Sequence, residues 1–213
     1  PAKKEPSHDG RTRFLRIDAM WSSDGVMVGH DRVFLTTIDE KSRKTVGCDL
    51  CRRENAEDVE GHMSKIVSKT GRRPMVWKHD NGPGFKSEKC QGFLKGNGIV
   101  PYATAGRAPW TNGRKERDHR DYQGWFSPVD VELMSENEVE NEAAQFVYLQ
   151  NYLKPRAVLG YRTADSVYRS EQGISEDERE RFMQEVAAIK VGDATMKHRK
   201  AVKTALRNLG FYE

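Results

Sequence analysis

The stretch RVFLTTIDEKSRKTVGCDLCR, residues 32–52, indicates the type of fold that this chain adopts. Residues 32–39 and the last nine residues of the stretch are rich in β-branched and aromatic side chains, which favour strands. The polar segment between them is typical of a turn. The stretch therefore predicts two antiparallel strands. Asp39 ends the first of them, and we interpret it as a turn residue that contacts Ser42 or Arg43 rather than as a catalytic acid.

The segments on either side extend this pattern. Residues 12–20, TRFLRIDAM, alternate between apolar and polar side chains and predict another half-buried strand. Downstream, Asn55 can cap a helix that runs to about Thr70, where Gly71 ends it. The first part of the chain is therefore predicted to form three strands followed by a helix.

The next segments continue the alternation of strand and helix. Residues 73–80 predict a short apolar strand that ends at Asp80, residues 87–98 a helix, residues 99–102 a brief fifth strand, and a further helix begins near residue 113. This order is that of the ribonuclease H fold, in which a mixed sheet places the first and fourth strands side by side. We therefore predict the α/β class: a ribonuclease H-like mixed five-stranded sheet with flanking helices, plus a helical C-terminal extension.

Length and composition limit the domain organisation and the cell compartment. A chain of 213 residues suits one well-filled α/β domain with peripheral helices. We predict a flexible N-terminal segment at 1–10, the catalytic-type core at 11–127 and the helical extension at 128–213. No apolar run approaches the roughly 18 residues of a membrane span, no signal peptide opens the chain, and three cysteines are typical of a reducing compartment. We expect a cytoplasmic protein without a membrane partner.

The charges are nearly balanced overall but segregated along the chain. The 36 Lys and Arg residues exceed the 32 Asp and Glu residues by four, which is a weak argument for a nucleic-acid partner. Residues 107–120, however, hold five Lys or Arg, whereas residues 130–142 hold six Asp or Glu and no cation. The local basic segment is therefore the candidate binding surface.

Three acids are candidates for a metal site. Asp18 lies on the predicted first strand and Asp80 ends the fourth, so the predicted topology lets their carboxylates converge. Two adjacent carboxylates repel each other unless a cation lies between them. Glu116, in the helix after the fifth strand, is the third candidate, and thirty-five residues separate it from Asp80.

Four segments that occur in order give a family resemblance. They are FLRIDAMW (14–21), FLTTIDEKSRKTVG (34–47), KHDNGPGFKSE (78–88) and APWTNGRKER (108–117). Together they resemble the catalytic core of the DDE integrase family, which includes bacterial insertion-sequence transposases and retroviral integrases. The resemblance covers about residues 11–127, with a weaker similarity to about residue 168.

This resemblance implies an activity and a cofactor. It assigns Asp18, Asp80 and Glu116 as the catalytic triad, which binds Mg²⁺ or Mn²⁺, with two ions expected. The implied enzyme is a DNA transposase or integrase that cleaves DNA 3′ ends and transfers the strand by in-line phosphoryl transfer. The expected location is then the bacterial cytoplasm, in association with the nucleoid.

The implied partner is DNA, both as element ends and as target, with a homo-oligomer assembled on it. On a helix, Glu116, Arg120 and Gln123 share one face, so cations near the acid would hold phosphates rather than neutralise it. The full set of predicted DNA-binding residues is Arg107, Asn112, Arg114, Lys115, His119, Arg120 and Gln123.

The sequence departs from the family pattern at positions that leave the three acids intact. His79 replaces the frequent serine before the second acid, and Gly84 replaces the glutamate of the NGPEF pattern. Asp118 stands where an aromatic residue is often found, and Ala164 replaces the proline of the RTP pattern. Two alternatives therefore remain at the level of sequence. One is a non-catalytic DNA-binding or assembly module derived from a transposase, and the other is a ribonuclease H-like nuclease that cuts without joining.

Overall fold

The computed structural model describes residues 13–104, 113–127, 130–193, 195 and 197–213, and for residues 113–119 it describes the backbone alone. Its centre is a five-stranded sheet in the order β3-β2-β1-β4-β5. The strands are β1 (Met20–Val28), β2 (Arg32–Asp39), β3 (Thr45–Cys51), β4 (Val76–His79) and β5 (Val100–Ala103). Strands β1, β2 and β3 are antiparallel neighbours, whereas β4 runs parallel to β1 and to β5. The predicted mixed sheet, with its first and fourth strands adjacent, is confirmed.

Eight α-helices surround this sheet in the described part of the chain. They are α1 (Ala56–Thr70), α2 (Pro83–Lys86), α3 (Glu88–Gly96), α4 (Gly113–Phe126), α5 (Glu136–Tyr148), α6 (Ala164–Arg169), α7 (Glu176–Gly192) and α8 (His198–Asn208). A π-helical turn, Leu149–Leu153, continues α5. The predicted flanking helices and helical C-terminal region are therefore present.

Signals from neighbouring residues were enough to predict helix α1 and the turn after β2. The Asn55 side chain accepts a hydrogen bond from the backbone N–H of Asp58, and Gly71 ends the helix with a φ of 64°, a left-handed conformation that glycine adopts at low cost. Asp39 accepts hydrogen bonds from the backbone N–H and the hydroxyl of Ser42. Its interpretation as a turn residue is confirmed.

The predicted position of the first strand is wrong. The alternating residues before Met20 form a segment that leads into β1, and Phe14 in this segment forms an isolated β-bridge with Tyr212. Asp18, near the end of this lead-in segment, has a φ of 59°, outside the β region. The true strand, β1, begins only at Met20. It contains a Ser-Ser-Asp-Gly run of low strand propensity, but it pairs with β2 from Trp21 to Val28, and that pairing overrides propensity.

The two faces of the sheet are covered differently. On one face, Trp21 and Trp77 pack among buried residues of α1 and α3. On the other, α7 and α8 cover one end of β1 through a cluster that includes Met20, while α4 and α5 cover the other end through a cluster that includes Val26 and Val28. The C-terminal helices therefore contribute to the core of the sheet.

Candidate active site

Asp80 lies directly after β4, at the edge where the parallel strands β4 and β5 end. Its carboxylate is half-buried and accepts a hydrogen bond of 2.8 Å from the backbone N–H of Gly82. The adjacent Asn81 donates to the backbone carbonyl of Thr104, just beyond β5, at 2.8 Å. These contacts hold the loop after β4 against the end of β5 and orient Asp80 at the edge of the sheet.

The structure does not bring Asp18 to Asp80, so the prediction that their carboxylates converge is wrong. The backbone carbonyl of Asp18 accepts a hydrogen bond from Met75, which places Asp18 at the start of β4. Asp80 follows five residues later, roughly 17 Å along the strand at about 3.3 Å per residue. The two acids therefore lie at opposite ends of β4.

Asp18 is instead part of a buried hydrogen-bond network. It is fully buried, and its carboxylate accepts hydrogen bonds from the indole N–H of Trp21, the hydroxyl of Tyr168 and the guanidinium of Arg72 at 3.0, 2.9 and 3.2 Å. Burial raises the pKa of Asp18, although these three donors act in the opposite direction. The network joins the lead-in segment to α6 and to the start of β4.

The acid that stands level with Asp80 is Asp24, which the sequence analysis missed. The last parallel pair of β1 and β4 is Ser22 with Lys78, and Asp24 and Asp80 each follow two residues later. Asp24 is half-buried in the middle of β1. Neighbouring parallel strands are about 4.8 Å apart, so this register, extended past the last residue of β4, sets the two acids at the same level.

The face of β1 on which Asp24 lies is covered by helices at both ends. Side chains alternate along a strand, so Met20, Asp24 and Val26 lie on the same face of β1. Met20 is buried under α7 and α8, and Val26 under α4 and α5. The half-buried Asp24 thus lies between two helical layers that cover the ends of β1.

Helix α4, which contains Glu116, packs on this same face through its second half. Tyr122 and Phe126 pack on Phe34, the β2 partner of Val26, with ring centroids 6.4 and 5.7 Å apart. The backbone of Glu116 precedes Tyr122 by six residues, about 9 Å along the helix axis. The side chain of Glu116 lies outside the described residues.

The predicted DNA-binding residues are described only in part. Arg120 and Gln123 are exposed on α4. Arg114, Lys115 and His119 belong to the backbone of α4, and their side chains lie outside the description, as do Arg107 and Asn112 entirely. His79 is buried, stacks on Phe85 at 5.1 Å and contacts the Asp80 carbonyl through Nδ1 at 2.6 Å.

The donor chemistry of the site fits a divalent cation. Asp24 and Asp80 offer only oxygen ligands, which Mg²⁺ and Mn²⁺ prefer, on two adjacent strands. Among the residues whose side chains the structure describes, no three His, Cys, Asp or Glu residues are grouped closely enough to hold a metal ion.

The cysteine pair of β3 is unsuited to thiolate chemistry. Cys48 and Cys51 are free thiols, and burial raises their pKa values to about 12 and about 11. Both therefore stay protonated at neutral pH, and a protonated thiol is a poor nucleophile and metal ligand.

The signal that could have identified Asp24 is the register between the first and fourth strands. A metal site at the end of β4 needs a second acid at the matching position of β1. Which residue of β1 has that position depends on where β1 begins. A strand read from Met20 rather than from residue 12 puts the Ser-Ser-Asp-Gly run opposite Asp80.

The mixed sheet and its flanking helices form a ribonuclease H-like fold, and the comparisons with known proteins agree with it. Residues 16–109 match the family model of the integrase core domain, a range that includes Asp24 and Asp80 and ends before Glu116. The family resemblance predicted from the sequence is confirmed.

The similar curated proteins are bacterial transposases. The chain is 25% identical over 195 residues to the putative transposase InsD of insertion element IS2E from Escherichia coli K12, an alignment that covers 83% of this chain and 85% of that protein. It has the same identity to the InsD transposase of IS2A/D/F/H/I/K from Escherichia coli, of which it spans 62%.

Solved structures of retroviral integrases are similar to this chain. The catalytic core domain of HTLV-2 integrase, solved in complex with magnesium, has a TM-score of 0.60 at 17% identity and covers 73% of this chain and 99% of that one. A simian T-cell lymphotropic virus intasome bound to a PP2A regulatory subunit has a TM-score of 0.65 at 18% identity, over 77% of this chain and 59% of that one. These matches establish the fold. No helix in the described part of the chain is long and apolar enough to cross a membrane.

Proposed function

We propose that this chain is the catalytic domain of a DNA transposase that cleaves the 3′ ends of an element and joins them to target DNA. The observation that carries this proposal is the register of β1 and β4, which sets Asp24 on β1 level with Asp80 just past the end of β4. Helix α4, which contains Glu116, covers the same face of β1. The match to the integrase core domain and the similarity to InsD transposases support it.

The proposed catalytic acids are Asp24, Asp80 and Glu116, with Asp24 in place of Asp18. Asp24 and Asp80 would supply carboxylate oxygens to Mg²⁺ or Mn²⁺ from the sheet, and Glu116 would supply a third carboxylate from α4. Divalent cations bound in such a site activate the attacking oxygen and stabilise the leaving oxygen of an in-line displacement at phosphorus.

The reaction uses one site twice. Water attacks phosphorus at the element end, the bond from phosphorus to the departing 3′ oxygen breaks, and a free 3′-hydroxyl results. That hydroxyl then attacks a phosphorus of the target strand and displaces the 3′ oxygen of its neighbour. The role of α4 is to hold phosphates beside the acids through its cations, and we propose that the enzyme works as a homo-oligomer assembled on DNA.

The test is the joining of a precleaved DNA end to a plasmid with Mg²⁺ or Mn²⁺, in the full chain and three variants. Asp24→Asn and Asp80→Asn should each lower joining by at least about 100-fold, because each removes a metal ligand. Asp18→Asn, measured where circular dichroism shows it folded, should stay within about threefold of the unmodified chain.

Each contrary outcome has a definite meaning. Loss of joining in Asp18→Asn together with full activity in Asp24→Asn would restore the acid set predicted from the sequence. Cleavage of DNA ends without joining would favour the ribonuclease H-like nuclease. Binding of DNA with neither reaction would favour the non-catalytic module.

A further inference from the structure

A tight turn that follows α5 and its π-helical extension exposes two large apolar side chains. The turn comprises residues 156–162, and its ends form an isolated β-bridge in which the N–H of Arg156 donates to the carbonyl of Arg162 at 3.1 Å. The N–H of Tyr161 donates to the carbonyl of Arg156 at 3.0 Å. Val158 is 74% exposed and Tyr161 is 78% exposed. Backbone hydrogen bonds therefore close the 156–162 turn, while the ring of Tyr161 lies in solvent.

The backbone of Tyr161 adopts a conformation that is costly for tyrosine. Its φ is 61°, and that of the preceding Gly160 is 64°, so two successive residues are left-handed. Glycine adopts this conformation at low cost, whereas a bulky side chain there is strained. Strain of this kind is concentrated at sites of contact with ligands and partners. The combination of strain and exposure therefore indicates that Tyr161 serves a contact outside the chain.

The charge around the turn favours an anionic partner. Residues 143–164 contain no Asp or Glu and three cations: Lys154, Arg156 and Arg162. Lys154, just before the turn, pairs with Asp121 of α4 at 3.2 Å. Asp121 follows Glu116 by five residues, about 7.5 Å along the helix axis. The 156–162 turn is thus tied to the helix that we propose binds DNA.

We propose that Tyr161 stacks on an unpaired base of the DNA while Arg162 contacts a neighbouring phosphate. This inference rests on the proposed function, which supplies DNA as the partner. An exposed aromatic ring beside cations is suited to a single strand, because every base has a flat face for stacking and every phosphate attracts a cation. The bases of a continuous duplex are stacked on one another, whereas cleavage of one strand at an element end exposes base faces. The turn therefore recognises the cleaved end.

The experiment measures binding of the full chain to two DNAs by fluorescence anisotropy: a duplex with a single-stranded overhang, and the same duplex fully paired. Tyr161→Ala should raise the Kd for the overhang DNA about tenfold, because one stacking contact is lost, and should change the Kd for the paired duplex by less than about threefold. Tyr161→Phe keeps the ring and should stay within about threefold on both. A fluorescent adenine analogue in the overhang should be quenched by the unmodified chain but not by Tyr161→Ala.

Two further variants separate the contact from the structure of the turn. Tyr161→Gly should weaken binding as Tyr161→Ala does, yet its urea denaturation midpoint should not fall, because glycine accepts the positive φ. Arg162→Ala should lower the slope of log affinity against log salt by about one unit on the overhang DNA. A lower midpoint in Tyr161→Gly would make Tyr161 a structural residue and overturn the inference.

The matched control is Tyr148→Ala, which removes a tyrosine of α5 that is 55% exposed and should leave both Kd values unchanged. An unaltered Kd for the overhang DNA in Tyr161→Ala would overturn the inference, and so would an equal loss on both DNAs. If the Kd stays the same but the oligomeric state by light scattering changes, the turn contacts a second copy of the chain instead. Failure of the proposed function is separate and shows as undiminished joining in Asp80→Asn.

Discussion

At the scale of single residues, the buried Asp18 and Asp39 show how an acid can mark structure rather than catalysis. Asp39 Oδ2 accepts a hydrogen bond of 2.8 Å from the backbone N–H of Asp18. Its Oδ1 accepts hydrogen bonds from the backbone N–H and the hydroxyl of Ser42. Burial raises the pKa of Asp39 from 3.8 to about 6, and the nearby Asp18 carboxylate adds to the rise. Both acids are fully buried.

The raised pKa predicts how the stability depends on pH. Between pH 4 and pH 6 the unfolded chain has lost the Asp39 proton while the folded chain still holds it, so the free energy of unfolding falls as the pH rises through this window. Replacing Asp39 by Asn removes the titration. Compared with the unmodified chain, Asp39→Asn should therefore become more stable as the pH rises. The gain in its relative free energy of unfolding from pH 4 to pH 7 should be up to about 3 kcal/mol. Urea denaturation at several pH values measures it, and a difference independent of pH would contradict the assignment.

At the scale of elements, α4 combines an apolar face with a basic first half. Tyr122 and Phe126 attach it to the sheet, while Arg120 and Gln123 are exposed. The segment before them contains Arg114, Lys115 and Arg117. A helix anchored in this way can present cations to DNA next to Asp24 and Asp80.

This geometry predicts a change in the salt dependence of DNA binding. Arg120→Ala and Lys115→Ala should each weaken binding to a branched end-target DNA and lower the slope of log affinity against log salt by about one unit, because a phosphate contact releases counterions. Sequence preference should barely change. Lys203→Ala, an exposed cation on α8, is the control. If the slope for Arg120→Ala equals that of the unmodified chain, α4 is not a phosphate-binding surface.

At the scale of the whole molecule, the C-terminal helices complete the core. Phe182 of α7 and Leu206 of α8 pack with Met20, Met75 and Val76 of the sheet region. Arg179, buried in α7, donates to the carbonyls of Pro74 and Gly98 at 2.7 and 3.2 Å and thereby ties α7 to the segments that precede β4 and β5.

This packing makes the stability of the sheet depend on α8. Leu206 is 1% exposed, so Leu206→Ala should lower the free energy of unfolding by about 2–5 kcal/mol through lost burial and the cavity left behind. Lys203→Ala on the outer face of the same helix should change it by less than about 0.5 kcal/mol. Denaturant titration measures both. Equal, small effects would mean that α8 is dispensable for the core.

The sequence by itself determined the order of strands and helices, the caps of α1, the turn role of Asp39 and the position of Asp80 at a strand end. These features depend on neighbours a few residues apart, so local propensity and spacing are enough. The proposed catalytic acids were predictable only in part, because Asp18 lies in a segment whose alternation resembles that of a strand.

Only the tertiary structure decided which acid lies level with Asp80 and which residues pack around Gly25 and Gly82. The register of β1 is set by pairing with β2 and β4 along its whole length, and a different starting residue moves another acid to the level of Asp80. The approach of Glu54 depends on backbones that meet at Gly25, Gly82 and Gly84, more than twenty-five residues away along the chain. Contacts between segments so distant in sequence leave no periodic signal in either one, because they arise from packing of the whole chain.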